Sequence, residues 1–113
     1  MTKTGAFDRA WRLAIKIDFS LFDAIVHSEY ESLNQGIKVN KEVSKSVLSG
    51  LSGVIILGPY RTIYENNDFV CLHRHTQLIG EDVFFSAIQA ISYKNNKIIT
   101  QETVTENLDD DPS

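Results

Sequence analysis

The side chains best suited to chemistry sit in the last third of the chain. His73 and His75 are two positions apart on a stretch that reads as a strand, so both leave the same face. Imidazole titrates near neutrality, which suits the pair to proton exchange with a bound molecule or to joint ligation of a metal. A metal asks for a third ligand, and neither a His-x-x-x-His spacing nor a cysteine pair supplies one; His27 stands alone. No metal site is expected, a metal-dependent hydrolase is the weakest reading, and an ordinary surface or interface pair is the plain alternative. Cys71 is the single cysteine, which excludes an internal disulfide. With no orienting third group beside it, Cys71 reads better as a small buried hydrophobe than as a nucleophile.

The elements that must position these residues fall into two blocks. Phe7, Trp11, Ala14 and Ile15 recur at helical spacing, with Thr4 available as N-cap. A short second helix starts near Asp18 or Ser20 and buries Phe19, Phe22, Ile25 and Val26. Glu29 to Asn34 reads as a short strand ended by Gln35-Gly36. A third helix is capped by Asn40, carries Val43, Val47, Leu48 and Leu51 on one side, and stops at Gly53. Four long strands follow, over 54–64, 69–78, 83–93 and 97–106. Asn66-Asn67 and Asn95-Asn96 mark hairpin turns, because asparagine tolerates the left-handed conformation. Gly58-Pro59 interrupts the first long strand and sends it to a sheet edge or gives it a bulge, since proline has no ladder donor. Strict alternation groups Phe85, Ala87, Gln89 and Ile91 on one side, and Ile99, Gln101, Thr103 and Thr105 on one side of the next strand.

The bulk numbers narrow the function classes. A chain of 113 residues with 42% hydrophobic and 23% charged residues fits one soluble domain, expected over 1–107. Residues 108–113 form an acidic tail that reads as disordered. The net charge of −4, with eleven scattered basic residues, argues against a nucleic-acid partner. No apolar run approaches a membrane span and no leader is legible at the N-terminus, so a cytoplasmic protein without a membrane partner is expected.

The order helix, helix, short strand, helix, four long strands resembles the nuclear-transport-factor-2-like superfamily, and within it the SnoaL-like group of polyketide-cyclase relatives. The residues that carry the resemblance are Tyr30 with Asn34, the turn and helix from Gly36 to Leu51, the strand Asn67-Asp-Phe-Val-Cys-Leu-His-Arg-His75, and the hairpin Tyr93-Lys-Asn-Asn-Lys-Ile98. The resemblance runs from about Phe7 to Asn107. It implies an α+β fold: a cone-shaped barrel with three N-terminal helices packed on a curved antiparallel sheet. A mostly apolar cavity lies between helix and sheet, and the outer sheet face commonly forms a homodimer. Enzymatic members carry an Asp on the last strand, often after His-Trp, and sometimes another one strand earlier. Those positions fall here at Thr103, with Gln101-Glu102 in place of His-Trp, and at Gln89. Leu33-Asn34 replaces a His-Asn pair. Neither Thr nor Gln shuttles a proton near neutral pH.

If the resemblance sets the faces, Gln89, Gln101 and Thr103 look inward, where unpaired amides cost roughly 1–3 kcal/mol each. They would then pair internally, hold water, or meet a polar group of a ligand; a mixed dimer surface on the outer face is the alternative. Trp11 and Tyr30 add aromatic surface to such a pocket, as do Tyr60 and Tyr64. Glu31 and Glu102 are the nearest carboxylates. The leading expectation is a domain that binds a small, largely apolar molecule, with Trp11, Tyr30, Gln89, Gln101 and Thr103 as contacts and no cofactor. If it turns substrate over, proton-transfer chemistry of the lyase, isomerase or cyclase kind would rest on His73 or His75. The alternative is a non-catalytic homodimerising association module.

Overall fold

The computed structural model describes residues 2–34, 36–80 and 83–108. The acidic tail lies, beyond Leu108, outside the described residues. The first helix, α1, spans Lys3–Ala14, and its cap is Thr2, whose hydroxyl accepts from the Gly5 amide. Thr4, the expected cap, is buried one residue inside the helix. Its amide and hydroxyl both donate to the Glu65 carboxylate, the amide at 3.0 Å, which places a negative charge on the positive end of the helix dipole. The helix closes in a Schellman motif, with Asp18 N–H donating to Leu13 O and Ile17 N–H to Ala14 O. That motif needs a left-handed residue, and Ile17 fills the place at φ 65°.

Helix α2 covers Ser20–Ile25 and α3 covers Lys41–Gly50, the latter capped by Asn40 as its spacing predicts. One expectation fails in α3. Ser44 and Leu48 face inward, while Val43 and Val47 are exposed. The apolar residues of this helix form a stripe wide enough to leave two orientations open, and packing against the sheet selects the one centred on Ser44.

Among the described residues six strands form one sheet: β1 Val26–Asn34, β2 Ile37–Asn40, β3 Ile55–Glu65, β4 Phe69–Leu78, β5 Val83–Lys94 and β6 Lys97–Leu108, in the order β2-β1-β6-β5-β4-β3. The architecture is α+β, with three helices on one face of the sheet, as the resemblance implied. The sheet itself departs from expectation twice. It is mixed, because β1 runs parallel to β6, and it stays open rather than closing into a barrel. Helix α3 carries the chain from the β1–β2 edge to the far edge at β3, so only the last four strands form an antiparallel meander. Asn95 and Asn96 adopt φ 53° and 62°, the pair of left-handed residues a tight hairpin requires.

Strand β3 is an edge strand and also carries a bulge at Gly58-Pro59. A Cβ on Gly58 would sit 2.5 Å from the His75 carbonyl oxygen, so no larger residue fits the close approach of β3 to β4. The core lies between α1, α2 and the inner sheet face. Phe7, Trp11, Phe22 and Tyr30 form a continuous aromatic series, with ring centroids 4.3, 5.0 and 6.4 Å apart. Val26, Val70, Leu72, Ile91 and Ile98 pack around them. Among the described residues no helix is long and apolar enough to cross a membrane.

Two glycine substitutions of opposite sign test this local geometry in urea. Ile17→Gly relieves a left-handed, exposed, β-branched residue and should raise stability by about 1 kcal/mol. Gly58→Ala should lower it by about 1–3 kcal/mol through overpacking.

Candidate functional site

The inner face of β4–β6 carries a band of polar side chains inside an otherwise apolar core. Alternation along β4 buries Val70, Leu72, Arg74 and Thr76 and turns Cys71, His73 and His75 outward. On β5 the buried residues are Ala87, Gln89 and Ile91. On β6 they are Ile98, Gln101 and Thr103, which breaks the simple alternation expected there. Tyr93 pairs with Ile98 and Ser92 with Thr100, so Ile99 is an extra residue that bulges from the ladder. The bulge lets both Ile98 and Gln101 face inward.

Gln101 is the centre of a completed chain. Tyr30 Oη donates to its Oε1 at 2.8 Å, and its Nε2 donates to Thr103 Oγ1 at 3.1 Å. Burial pushes the Tyr30 phenol up to about 12, against a smaller opposing pull from the neighbouring Ser32 and Ser44 hydroxyls. Ser44 lies near the phenol yet makes no hydrogen bond of good geometry. Tyr30 is thus a proton donor throughout the neutral range and no base. Thr103 sits beside Gln89 in the ladder, and Gln89 beside Leu72. The Gln89 carbonyl oxygen is buried without a partner.

Arg74 was not expected at this site. Its side chain is 2% exposed, and its Nη1 donates to Asp8 Oδ1 at 2.8 Å. The other Asp8 oxygen accepts from Arg12 Nε at 2.9 Å, and the two terminal nitrogens of Arg12 donate to the Leu57 and Gly58 carbonyls at 2.8 Å each. Arg74 Nε remains buried and unpartnered. Burial lowers the Arg74 pKa and Asp8 draws it back up; a guanidinium stays charged through such shifts. The i,i+4 spacing of Asp8 and Arg12 was a readable sign of this network. The buried cation inside Val70-Cys-Leu-His-Arg-His-Thr76 was not.

Of the expected ligand contacts, Tyr30, Gln89, Gln101 and Thr103 come together on the inner face. Trp11 belongs to the aromatic core, with Phe7 and Phe22 against it. The two histidines lie on the opposite face of the sheet. His73 Nε2 is 2.6 Å from Ser86 Oγ, and its ring meets that of His75 edge-on at 4.8 Å. Partial burial lowers the His73 pKa, helped by His75 and Arg61. A molecule held by Gln89 therefore cannot touch either imidazole, since the sheet stands between them. Cys71 shares that outer face and is only half-buried. Among the described residues no three His, Cys, Asp or Glu side chains gather around a common point. Glu31 and Glu102 are exposed; with Ser32, Leu33, Lys38, Thr100 and Gln101 they line a half-open depression of about 250 Å³ over the β1–β6 pair. Glu31 is tied there to Lys38 at 2.9 Å.

No family model and no curated protein sequence matches this chain. Solved structures do. A nuclear-transport-factor-2-like protein of unknown function from Cytophaga hutchinsonii superposes with a TM-score of 0.72 at 10% identity, over 94% of this chain and 91% of the other. TerC, co-crystallised with polyporic acid, gives 0.73 at 14% identity over 91% and 90%. An LEH-like epoxide hydrolase of M. tuberculosis gives 0.67 at 15% identity over 89% and 80%. Isomerase and polyketide-cyclase candidates stand among the other matches. The chain therefore has the nuclear-transport-factor-2-like fold.

The buried charges give a first test. Asp8→Ala leaves Arg74 without its counter-ion and should cost about 3–5 kcal/mol, whereas Asp8→Leu with Arg74→Met should recover most of it. Alkaline unfolding gives a second. Tyr30 ionises near 12 when folded and near 10 when unfolded. Its contribution is therefore complete below pH 10 and is lost as pH rises through about 12. Tyr30→Phe should flatten the stability curve across that window.

Proposed function

We propose that the protein binds a small molecule on the inner, helix-covered face of its sheet, an apolar body against the aromatic core and a polar end against Gln89 and Arg74. The observation that carries this reading is the pair of buried, unpartnered polar atoms on neighbouring strands, Gln89 Oε1 and Arg74 Nε. Leaving such atoms unmet costs about 1–3 kcal/mol apiece, more near a charge, and a ligand that meets them recovers that cost. Both atoms are covered by neighbouring side chains, so the ligand enters by displacing them.

The inner face favours binding and orientation over acid–base work. Tyr30 holds its proton to about pH 12, Asp8 is clamped between two guanidinium groups, and Gln89, Gln101 and Thr103 do not titrate. Lyase, isomerase or cyclase chemistry, if present, would polarise a carbonyl through these donors. The histidines would take no part in it. TerC, held with polyporic acid, gives a precedent for a small organic ligand on this fold.

A second reading concerns the outer face. Ile88 and Val104 pair across β5 and β6 and are 45% and 62% exposed, between His73 on one side and Glu102 and Glu106 on the other. With Arg61, the exposed ladder partner of His73, as the cation on the first side, an apolar centre with opposite charges at its rims suits a second copy of the chain.

Screening a metabolite mixture by thermal shift should find a compound that raises the melting temperature. Gln89→Leu should abolish that rise, and His73→Ala with His75→Ala should leave it unchanged; a rise lost only in the histidine variant overturns the assignment. By light scattering, wild-type protein should show twice the 12.8 kDa chain mass, and Val104→Glu should return it to the monomer.

A further inference from the structure

We infer that the ligand is a hydroxycarboxylate: a carboxylate with a hydroxyl a few bonds away and an apolar remainder. The inference rests on the small-molecule reading above and names its chemistry. The Tyr30–Gln101–Thr103 chain is already closed, each link meeting the next. On the strands, the groups left to recognise a ligand among the described residues are therefore one donor, Arg74 Nε, and one acceptor, Gln89 Oε1; the remaining unpartnered atom, Ser44 Oγ of α3, lies beside the Tyr30 phenol. A ligand that satisfies both must offer an acceptor to the first and a donor to the second.

Charge decides the kind of acceptor. Arg74 and Arg12 bring two positive charges to Asp8, which returns one negative charge through its two oxygens. Arg12 spends its terminal N–H groups on the neutral carbonyls of Leu57 and Gly58 and is partly solvated. Arg74 is not solvated, and its single carboxylate partner is shared. A monoanion at Nε balances the set, and guanidinium–carboxylate hydrogen bonds are among the stronger polar contacts available. A neutral carbonyl would meet the N–H without balancing the charge, and a cation would be repelled.

The ladder sets the spacing. Arg74 pairs with Ala87 and Leu72 with Gln89, so Arg74 and Gln89 are diagonal neighbours on one face. Diagonal positions stand about 7–8 Å apart at Cα, closer at the side chains. A hydroxyl one or two carbons from a carboxylate spans that gap. Thr103, beside Gln89, borders the hydroxyl end, and Leu72 and Ile91 border the apolar remainder.

Calorimetric titration of the full chain at pH 7 with 3-hydroxyoctanoate, octanoate and 1,3-octanediol tests the inference. The hydroxy acid should bind tightest, octanoate about tenfold more weakly, and the diol more weakly still. Gln89→Leu should make the two acids equal, and Arg74→Lys, which keeps a charge beside Asp8 but lacks Nε, should weaken both. If Arg74→Lys does not fold, the Nε resonance of Arg74 in labelled wild-type protein replaces it: it should shift with either acid and stay still with the diol. A diol that binds as well as the hydroxy acid overturns the anion assignment, and equal binding of both acids to wild-type protein overturns the role of Gln89. Silence from all three overturns the hydroxycarboxylate class; a neutral compound that still stabilises the protein, with the rise abolished by Gln89→Leu, would then leave the broader binding reading standing.

Discussion

A guanidinium taken out of water must be met by a carboxylate, and the placement of Arg74 makes that constraint govern the molecule. Arg74 sits in the middle of β4, on the face the helices cover, and Asp8 of α1 is the partner that reaches it. The same carboxylate holds Arg12, which reaches over to the carbonyls of the β3 bulge. Helix α1, strand β4 and the edge strand β3 are thus fixed by one shared negative charge. Hydrophobic burial brings α1 to the sheet, but it is non-directional; the ion network fixes how α1 is rotated and how far it slides. The remaining features of the inner face, including the aromatic series and the Tyr30–Gln101 link, take their positions from that docking.

The two faces of the sheet divide the chemistry of the chain. The inner face has hydrogen-bonding groups that hold their protons near neutrality, within apolar surroundings that strengthen each polar contact. The outer face has the imidazoles, a serine hydroxyl and exposed aliphatic side chains. A functional reading that joins the histidines to the amides would need side chains to pass through the ladder, and none can. On the proposed reading, recognition falls to the inner face and association to the outer.

Much of this was legible in the sequence, for identifiable reasons. Asn40 and Asn95-Asn96 are local signals whose geometry follows from one or two residues, and both turned out as read. Gly58-Pro59 announced an edge or a bulge, and both are there. Elements that depend on distant pairing were harder. Strand β2 is four residues long and mostly exposed, so no periodicity marks it. The parallel match of β1 to β6 leaves no trace in either strand alone. The face of Gln101 came out as the resemblance implied, while its apolar neighbour did not, because one bulged residue at Ile99 shifts the alternation. Arg74 stayed hidden because an arginine in an alternating strand ordinarily signals the wet side. Its burial is decided by Asp8, sixty-six residues earlier.

An open sheet has two rims, and each exposes backbone groups able to template another strand. Here one rim is the short β2, carrying Lys38, and the other is β3, kinked at Gly58-Pro59 and irregular again between Thr62 and Tyr64. Neither offers a straight row of free amides long enough for another chain to anneal. The protein is thereby guarded against growing sideways into fibrils.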